Sequence, residues 1–397
     1  MSGTSLREAV PTSPSAMSPA GDSSPITNLW GRVRPVRLDA EHRTVFRSVV
    51  GRAYSHQAQV TSLDGRLYVS WSLGVRDEEE PGQIVVFATS ADQGLTWSEP
   101  STIMDVRPGA HADWVAGSTG IRIHDGRLIA YVAEWEYGPL ALDESRRLSG
   151  GNHDHHLGTR TRARASSDGG ASWSEPVDVM PRIATYHAPS ATASGRLILP
   201  GHVTYPYTDD PAGLIGWTYS GLSRLPDDFV DDTMGWDYGR EARNDPLVFN
   251  EGSFFQTDDG VIHMMLRTES DRLWITESRD DGGTWSEPLM THYTDGVCRV
   301  HFGRLADGRF FGLGTPDPSN VWGRTPVVLA LSEDGVAFDR HFIVGDEPEQ
   351  PPRVPGLGKK GRYGYPYLHV MGDMAFVVYS VAKEDIAVAR FPLSDLD

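Results

Sequence analysis

The feature that most narrows what this chain can fold into is a repeated unit: an alternating run, a tight turn, and a second alternating run. It occurs as AQVTSLDGRLYVSWS (58–72), TGIRIHDGRLIAYVAE (119–134), SATASGRLILPGHV (190–203), GSFFQTDDGVIHMMLRT (252–268), HFGRLADGRFFGLGT (301–315) and YLHVMGDMAFVVYS (367–380). Period-two alternation on both arms is the pattern of a half-buried strand pair. Asp-Gly or Ser-Gly supplies the positive φ that a tight hairpin turn needs. A unit of this kind cannot bury its own apolar face, but stacked copies can.

A second motif follows several of the hairpins. SADQGLTW (90–97), SSDGGASW (166–173) and SRDDGGTW (278–285) share the pattern S-x-D-x-G-x-T/S-W, and SEDGVAF (332–338) is a shortened copy without the Trp. The logic is a turn held by its own side chains: Asp and Ser/Thr bond backbone groups, Gly permits the reversal and Trp packs beneath. The boxes start at Ser90, Ser166, Ser278 and Ser332, so the second interval is about twice the third. A four-stranded blade takes roughly 45–60 residues, and the long interval therefore holds about two. Six hairpins predict an all-β, six-bladed β-propeller, and seven blades stay open if residues 28–50 contribute strands of their own. With 42 Gly and 27 Pro among 397 residues, turn chemistry recurs along the whole chain, as many short strands require.

Residues 1–26 are rich in Ser, Pro, Thr and Ala, and read as a disordered leader; residues 27–397 read as one propeller domain. The Pro/Gly-rich stretch at 347–362 reads as a long surface loop. A formal net charge of −18 disfavours nucleic acid and anionic membrane as partners. Cys298 is the single cysteine, so no intrachain disulfide can form. The N-terminus shows no basic segment followed by an apolar core, and the expected location is cytoplasmic.

The S-x-D-x-G-x-T-W boxes resemble the Asp-boxes, or BNR repeats, of the sialidase superfamily, and the resemblance runs over about residues 45–395. It implies a propeller with a carbohydrate site at its hub. It also implies an arginine triad for a substrate carboxylate, a Tyr nucleophile with a Glu partner, and an acid/base Asp. On this sequence Glu251 and Arg267 match the Glu and second arginine, Arg324 the third, Tyr365 the nucleophile and Asp77 the acid. The sequence departs from the pattern at the first arginine, where YSHQAQV carries His56; Arg47 and Arg52 lie nearby but precede this strand. The segment from Tyr54 to Gln83 is also similar to propeller enzymes, lyases and hydrolases, that cleave rhamnose from glucuronate and use a histidine.

The residues that lead the innermost strands include His56, His187, Glu251, Arg299, His301 and Tyr365. Blade after blade with a titratable or basic group there suggests a pocket built for chemistry. His56 suits proton transfer near neutral pH. Arg267, Arg299 and Arg324 suit a carboxylate, which guanidinium binds bidentately. Tyr365, with Tyr363 as the alternative, would be nucleophile to Glu251 as base, or else a general acid in a lyase. Asp77 belongs to the acidic run 77–80, any member of which could be the acid. Trp114 is an aromatic surface for a sugar face; Tyr186 and His202 are weaker candidates of the same rim. The HDHH run at 153–156 has metal-ligand residue types, but its three His are too close together to converge easily on one ion; the equal alternative is His155 or His156 at the pocket rim, with Arg160 and Arg162 as candidates for the same rim. No cofactor or metal is expected, and the partner is an oligosaccharide or glycan.

Three functions compete: cleavage of a terminal sugar from a uronate-containing glycan with His56 as acid/base; exo-α-sialidase action through Tyr365, Glu251 and Asp77; and non-catalytic glycan binding. Convergence of three arginines beside Tyr365 and Glu251 would favour the second, His56 with two arginines the first, and a pocket plugged by side chains the third.

Overall fold

The computed structural model describes residues 23–137, 157–185, 187–222, 249–356 and 358–397. The described strands form six sheets, antiparallel except for one short parallel edge strand, Val36–Arg37, and their main strands follow one another along the chain. The first is built from Tyr54–Leu63, Arg66–Gly74, Ile84–Ser90 and Ser101–Met104, and the second from Val115–His124, Arg127–Glu136, Leu157–Ser166 and Val177–Pro181. The third holds the short strands Ser190–Ala191, Leu197–Ile198 and Tyr207–Thr208, and the fourth Asn250–Gln256, Ile262–Arg267, Arg272–Ser278 and Leu289–Thr294. His301–Arg304, Phe310–Gly314, Val327–Ser332 and Arg340–Gly345 make the fifth; Tyr363–Met371, Met374–Val381 and Asp385–Pro392 make most of the sixth.

Shared cores bind each sheet to the next. Phe87 and Ile103 pack on Leu128 and Val132 between the first and second sheets, and Tyr131 meets Leu199 between the second and third. Tyr205 joins Ile262 and Trp285 between the third and fourth, Phe255 joins Phe302 and Phe338 between the fourth and fifth, and Leu329 joins Val377 between the fifth and sixth. The series returns on itself: Phe376 and Val378 of the sixth sheet pack on Val69 and Trp71 of the first. Apolar faces that no single hairpin could hide are thereby covered on both sides.

Residues 28–50 do not build a sheet of their own. Val36–Arg37 adds to the outer edge of the fifth sheet, and Glu41–Phe46 pairs with Asp385–Pro392 as the outer strand of the sixth. The last sheet is thus completed by chain from before the first, which ties the two ends of the ring together.

The boxes occupy the turn between the third and fourth strands. In the first, Ser90 Oγ donates to Asp92 and accepts from the Gly94 N–H, while Thr96 donates to Asp92 from both its N–H and its hydroxyl. The same set recurs at Ser166/Asp168/Ser172 and Ser278/Asp280/Thr284. The hydroxyl and N–H of Thr96 hold the Asp92 carboxyl down to about 2. A further copy at 208–217 is invisible to the pattern because it is lengthened. Asp210 accepts from the N–H groups of Ala212, Leu214 and Ile215, and the Trp217 indole donates to the Gly213 carbonyl at 3.1 Å, as Trp97 does to Gly94. The sixth sheet has no such turn, because its fourth strand comes from the N-terminal side of the fold.

Three expectations are corrected in detail. The third hairpin is reduced to two-residue strands, since Pro189, Pro200 and Pro206 interrupt the ladder. Residues 23–26, read from the sequence as part of a leader, are packed on the sheets: Ser24 N–H bonds the Met290 carbonyl, and Ile26 is buried against the fourth and fifth sheets. The loop at 347–362 is anchored inward. Lys359 is buried and donates to Glu384 and to the carbonyls of Ala53 and Val354, and Gly358 N–H bonds Asp77.

Candidate active site

Three inner strands reach the hub through the same local device. The ladder is bulged between His56 and Gln59, between Asn250 and Ser253, and between Gly364 and Tyr367. Each bulge holds a non-glycine residue in the left-handed region: Gln57 at φ 59°, Glu251 at 43° and Tyr365 at 53°. Arg324, in the turn before Val327–Ser332, is at 52°. Such residues carry about 1–2 kcal/mol of strain each, and a bulge re-aims its side chain out of the alternating pattern. Strain of this kind gathers at functional sites.

The result is a buried cluster drawn from the first, fourth, fifth and sixth sheets. The Tyr365 hydroxyl donates to Glu251 Oε1, and Arg267 Nη1 donates to Glu251 Oε2 while lying 3.1 Å from the Tyr365 oxygen. Asn250 and Arg267 are opposite each other in the ladder, which places Glu251 and the arginine side by side. The guanidinium of Arg299 lies 4.7 Å from the centre of the Tyr365 ring and that of Arg324 5.5 Å from it. His202 accepts the Glu251 N–H at 3.2 Å, holding the strained residue in place.

His56 packs against the other side of the cluster. Its ring centre is 4.1 Å from that of Tyr365, its Nδ1 is hydrogen-bonded to Ser380 at 2.7 Å, and its Nε2 lies 4.0 Å from Glu78 Oε1. Glu78 is in turn paired with the ammonium of Lys383. Burial, then Lys383, Arg324, Arg299 and Arg267, hold the imidazole well below its usual range, so His56 is neutral at physiological pH. Burial opposes ionisation of Glu251, but Arg267, the Tyr365 hydroxyl, His202 and Arg299 outweigh it and keep the carboxyl below its usual range. Burial and the Glu251 carboxylate push the Tyr365 phenol well above its usual range. Behind Arg267, burial raises the Asp295 carboxyl to about 7.

Four cations, Arg267, Arg299, Arg324 and Lys383, therefore surround two carboxylates, Glu251 and Glu78. In a chain of net charge −18, this hub carries a local excess of positive charge. Trp322, half-buried at φ 69°, lies 5.9 Å from Arg267, 5.7 Å from Arg324 and 5.3 Å from Lys360.

Other expected residues lie elsewhere in the hub or outside it. His301 stacks on Tyr367 at 3.8 Å, with His187 5.8 Å from both, forming an aromatic layer under Arg299. Burial followed by Arg299 lowers His301 to about 3, and the same causes lower His187. Tyr363 is turned away: its hydroxyl accepts the Glu347 N–H and its ring packs on Tyr379. Asp77 is buried, and its carboxylate accepts the N–H groups of Glu78 and Gly358, so it anchors a loop while Glu78 faces the cluster. Trp114 lies under Arg107 at 3.8 Å and Arg160 at 4.7 Å, beside a buried Glu134 that pairs with Arg107, Arg160 and Arg162. Arg47 is exposed beyond the outer strand of the sixth sheet. Tyr186 and the 153–156 run lie outside the described residues.

Sequence reasoning missed Lys383, Ser380 and Trp322. Lys383 sits in a plain hairpin turn, VAKED, with no motif around it. Trp322 stands two residues before an arginine already singled out, which was the available signal.

A family model described as the BNR repeat-like domain matches residues 65–378. The chain belongs to the BNR repeat-like family. Many solved structures share its fold. One titled simply as a sialidase is 21% identical, with a TM-score of 0.61, over 94% of this chain and 34% of its own. A Trypanosoma rangeli sialidase in complex with 2,3-difluorosialic acid as a covalent intermediate is 13% identical, TM-score 0.62, covering 90% of this chain and 59% of its own. The intramolecular trans-sialidase of Ruminococcus gnavus, in complex with oseltamivir carboxylate, is 14% identical, TM-score 0.60, covering 89% and 97%. This BNR-repeat chain thus spans about a third of the first of these and nearly all of the last. No curated protein matches the sequence.

Proposed function

We propose that this BNR-repeat protein is a glycoside hydrolase that removes a terminal acidic sugar, with Tyr365 as nucleophile. The observation that carries the reading is the hydrogen bond from Tyr365 to Glu251 inside a hub with excess positive charge. A phenol pushed upward by burial cannot attack unless its proton has somewhere to go, and Glu251 is in place to take it. Arg267 is committed to Glu251, and Arg299 and Arg324, whose guanidinium groups lie 4.7 and 5.5 Å from the centre of the Tyr365 ring, add the positive charge that would favour a substrate carboxylate there. The buried surroundings strengthen those electrostatic interactions. Sialic acid is the leading substrate, since the similar T. rangeli protein is described with a sialic acid derivative as a covalent intermediate.

A second reading has its own support. His56 is neutral, buried and packed on Tyr365, which suits a base that removes the C5 proton of a uronate, with the arginines stabilising the resulting enolate. Incubation with a 4-methylumbelliferyl α-sialoside and, in parallel, a rhamnosyl-glucuronate oligosaccharide separates the two. Release of the fluorophore supports the hydrolase, and ultraviolet absorbance from an unsaturated uronate supports the lyase. If neither substrate is turned over, and Tyr365→Phe and His56→Ala change nothing, the hub is not a catalytic site.

A further inference from the structure

Lys383 is held at the hub by a turn that its residue type does not favour. The hairpin between Met374–Val381 and Asp385–Pro392 turns through Ala382 and Lys383, at φ 51° and 52°. Glycine or asparagine ordinarily fills such positions, and an alanine-lysine pair there is strained. The turn is clamped on both sides: Ala382 N–H bonds the Arg362 carbonyl at 2.9 Å, and the Lys383 carbonyl accepts the Ser55 N–H at 2.9 Å. The lysine side chain is 5% exposed and pairs with Glu78.

The acidic run at 77–80 is divided by the fold. Asp77 is committed to backbone N–H groups, and Glu80 is paired with Arg76. Glu78 faces the hub: its side chain is 23% exposed, 4.0 Å from His56 Nε2 and 3.5 Å from the Tyr54 hydroxyl. It also acts on the Tyr365 phenol. Of the carboxylates around Tyr365, it is the one beside both a proton-bearing ammonium and solvent.

We infer that Glu78 is the carboxylate that exchanges protons with the leaving group and with water, and that Lys383 is its positioning residue. This rests on the hydrolase reading above. Lys383 holds in place the Glu78 carboxyl, which carries the transferable proton. In the first step Tyr365 gives its proton to Glu251 and its oxygen forms a bond to the anomeric carbon. The glycosidic C–O bond breaks, its electron pair stays on the leaving oxygen, and that oxygen takes the proton from Glu78, whose carboxylate stays paired with Lys383. In the second step water attacks the anomeric carbon and loses a proton to Glu78. The bond to Tyr365 breaks, and the phenolate recovers its proton from Glu251.

The test compares sialyllactose, whose alcohol leaving group needs a proton, with 4-methylumbelliferyl α-sialoside, whose phenol needs little. In the full chain, Glu78→Gln should lower kcat on sialyllactose by about 10²–10⁴-fold and on the aryl sialoside by less than about tenfold, with KM little changed. Lys383→Met should show the same leaving-group dependence, and Lys383→Arg should restore most of the loss. Asp77→Asn should affect both substrates alike. Equal losses on the two substrates for Glu78→Gln, or none, overturn the assignment. If Tyr365→Phe abolishes turnover while Glu78→Gln does not, this inference alone fails. If the unmodified protein turns over neither sialoside, the hydrolase reading fails and this assignment with it.

Discussion

The Tyr365 hydroxyl donates to the carboxylate of Glu251, a residue 114 positions earlier in the chain and two sheets away around the ring. Both residues hold left-handed backbone conformations at bulges. The fold therefore maintains two strained residues so that one phenol and one carboxylate can meet, with Arg267 touching both.

Removing either partner should separate chemistry from folding. Tyr365→Phe keeps the ring that packs on His56 and loses the proposed nucleophile; Glu251→Gln keeps the shape and loses the proposed base. Each should lower kcat by about 10²–10⁴-fold with an unchanged circular dichroism spectrum. A kcat within a factor of three of the unmodified protein for either variant would remove that residue from the mechanism.

The buried histidines set the response to acid. His56 and His187 are held well below the usual imidazole range, His301 at about 3 and His369 at about 4, in every case chiefly by burial. Above about pH 6.5 both folded and unfolded chains leave these groups neutral. As pH falls below that, the unfolded chain takes up protons that the folded chain refuses, so stability drops. The slope approaches about 1.4 kcal/mol per pH unit for each such histidine. Urea unfolding at pH 7 and pH 5 should show the loss, and His301→Gln should reduce it. A midpoint unchanged between these pH values would contradict the burial of these rings.

The junction between the sixth and first sheets should be a point of weakness when its core is cut. Trp71 is fully buried among Val69, Phe376 and Val378. Trp71→Ala should cost about 3–5 kcal/mol by loss of buried area and the cavity left behind, measured by urea unfolding. A cost under about 1 kcal/mol would mean that this junction is not load-sharing in the way the packing indicates.

The lengthened box at 208–217 should behave as its regular relatives do. Asp210→Ala removes the acceptor for three backbone N–H groups and should lower Tm by several degrees, as Asp280→Ala should in the regular box. An unchanged Tm for Asp210→Ala, with a fall for Asp280→Ala, would make the lengthened copy a turn of a different kind.

Much of this was legible in the residues, and the reasons are specific. Hairpin turns such as Asp64-Gly65 and Asp125-Gly126 announce themselves because both residues take positive φ, and the boxes because Ser, Asp, Gly and Thr must stand at fixed offsets to close their bonds. Glu251, Arg267, Arg324 and Tyr365 were found through resemblance, and the geometry brings them together. What was hidden depends on distant chain. Nothing local in VAKED says that its lysine turns back to meet a glutamate 305 positions away. Likewise, nothing in the acidic run says that Asp77 binds a loop while its neighbour faces the hub. The box at 208–217 was missed because its extra length breaks the spacing although the hydrogen bonds survive.

In the proposed hydrolase, Tyr365 forms a covalent bond to an acidic sugar. Intact-mass and peptide-mapping mass spectrometry after incubation with 2,3-difluorosialic acid tests this most directly. The expected result is a single glycosyl adduct on the peptide containing Tyr365, absent from Tyr365→Phe. An unmodified protein, or an adduct on any other residue, would contradict it.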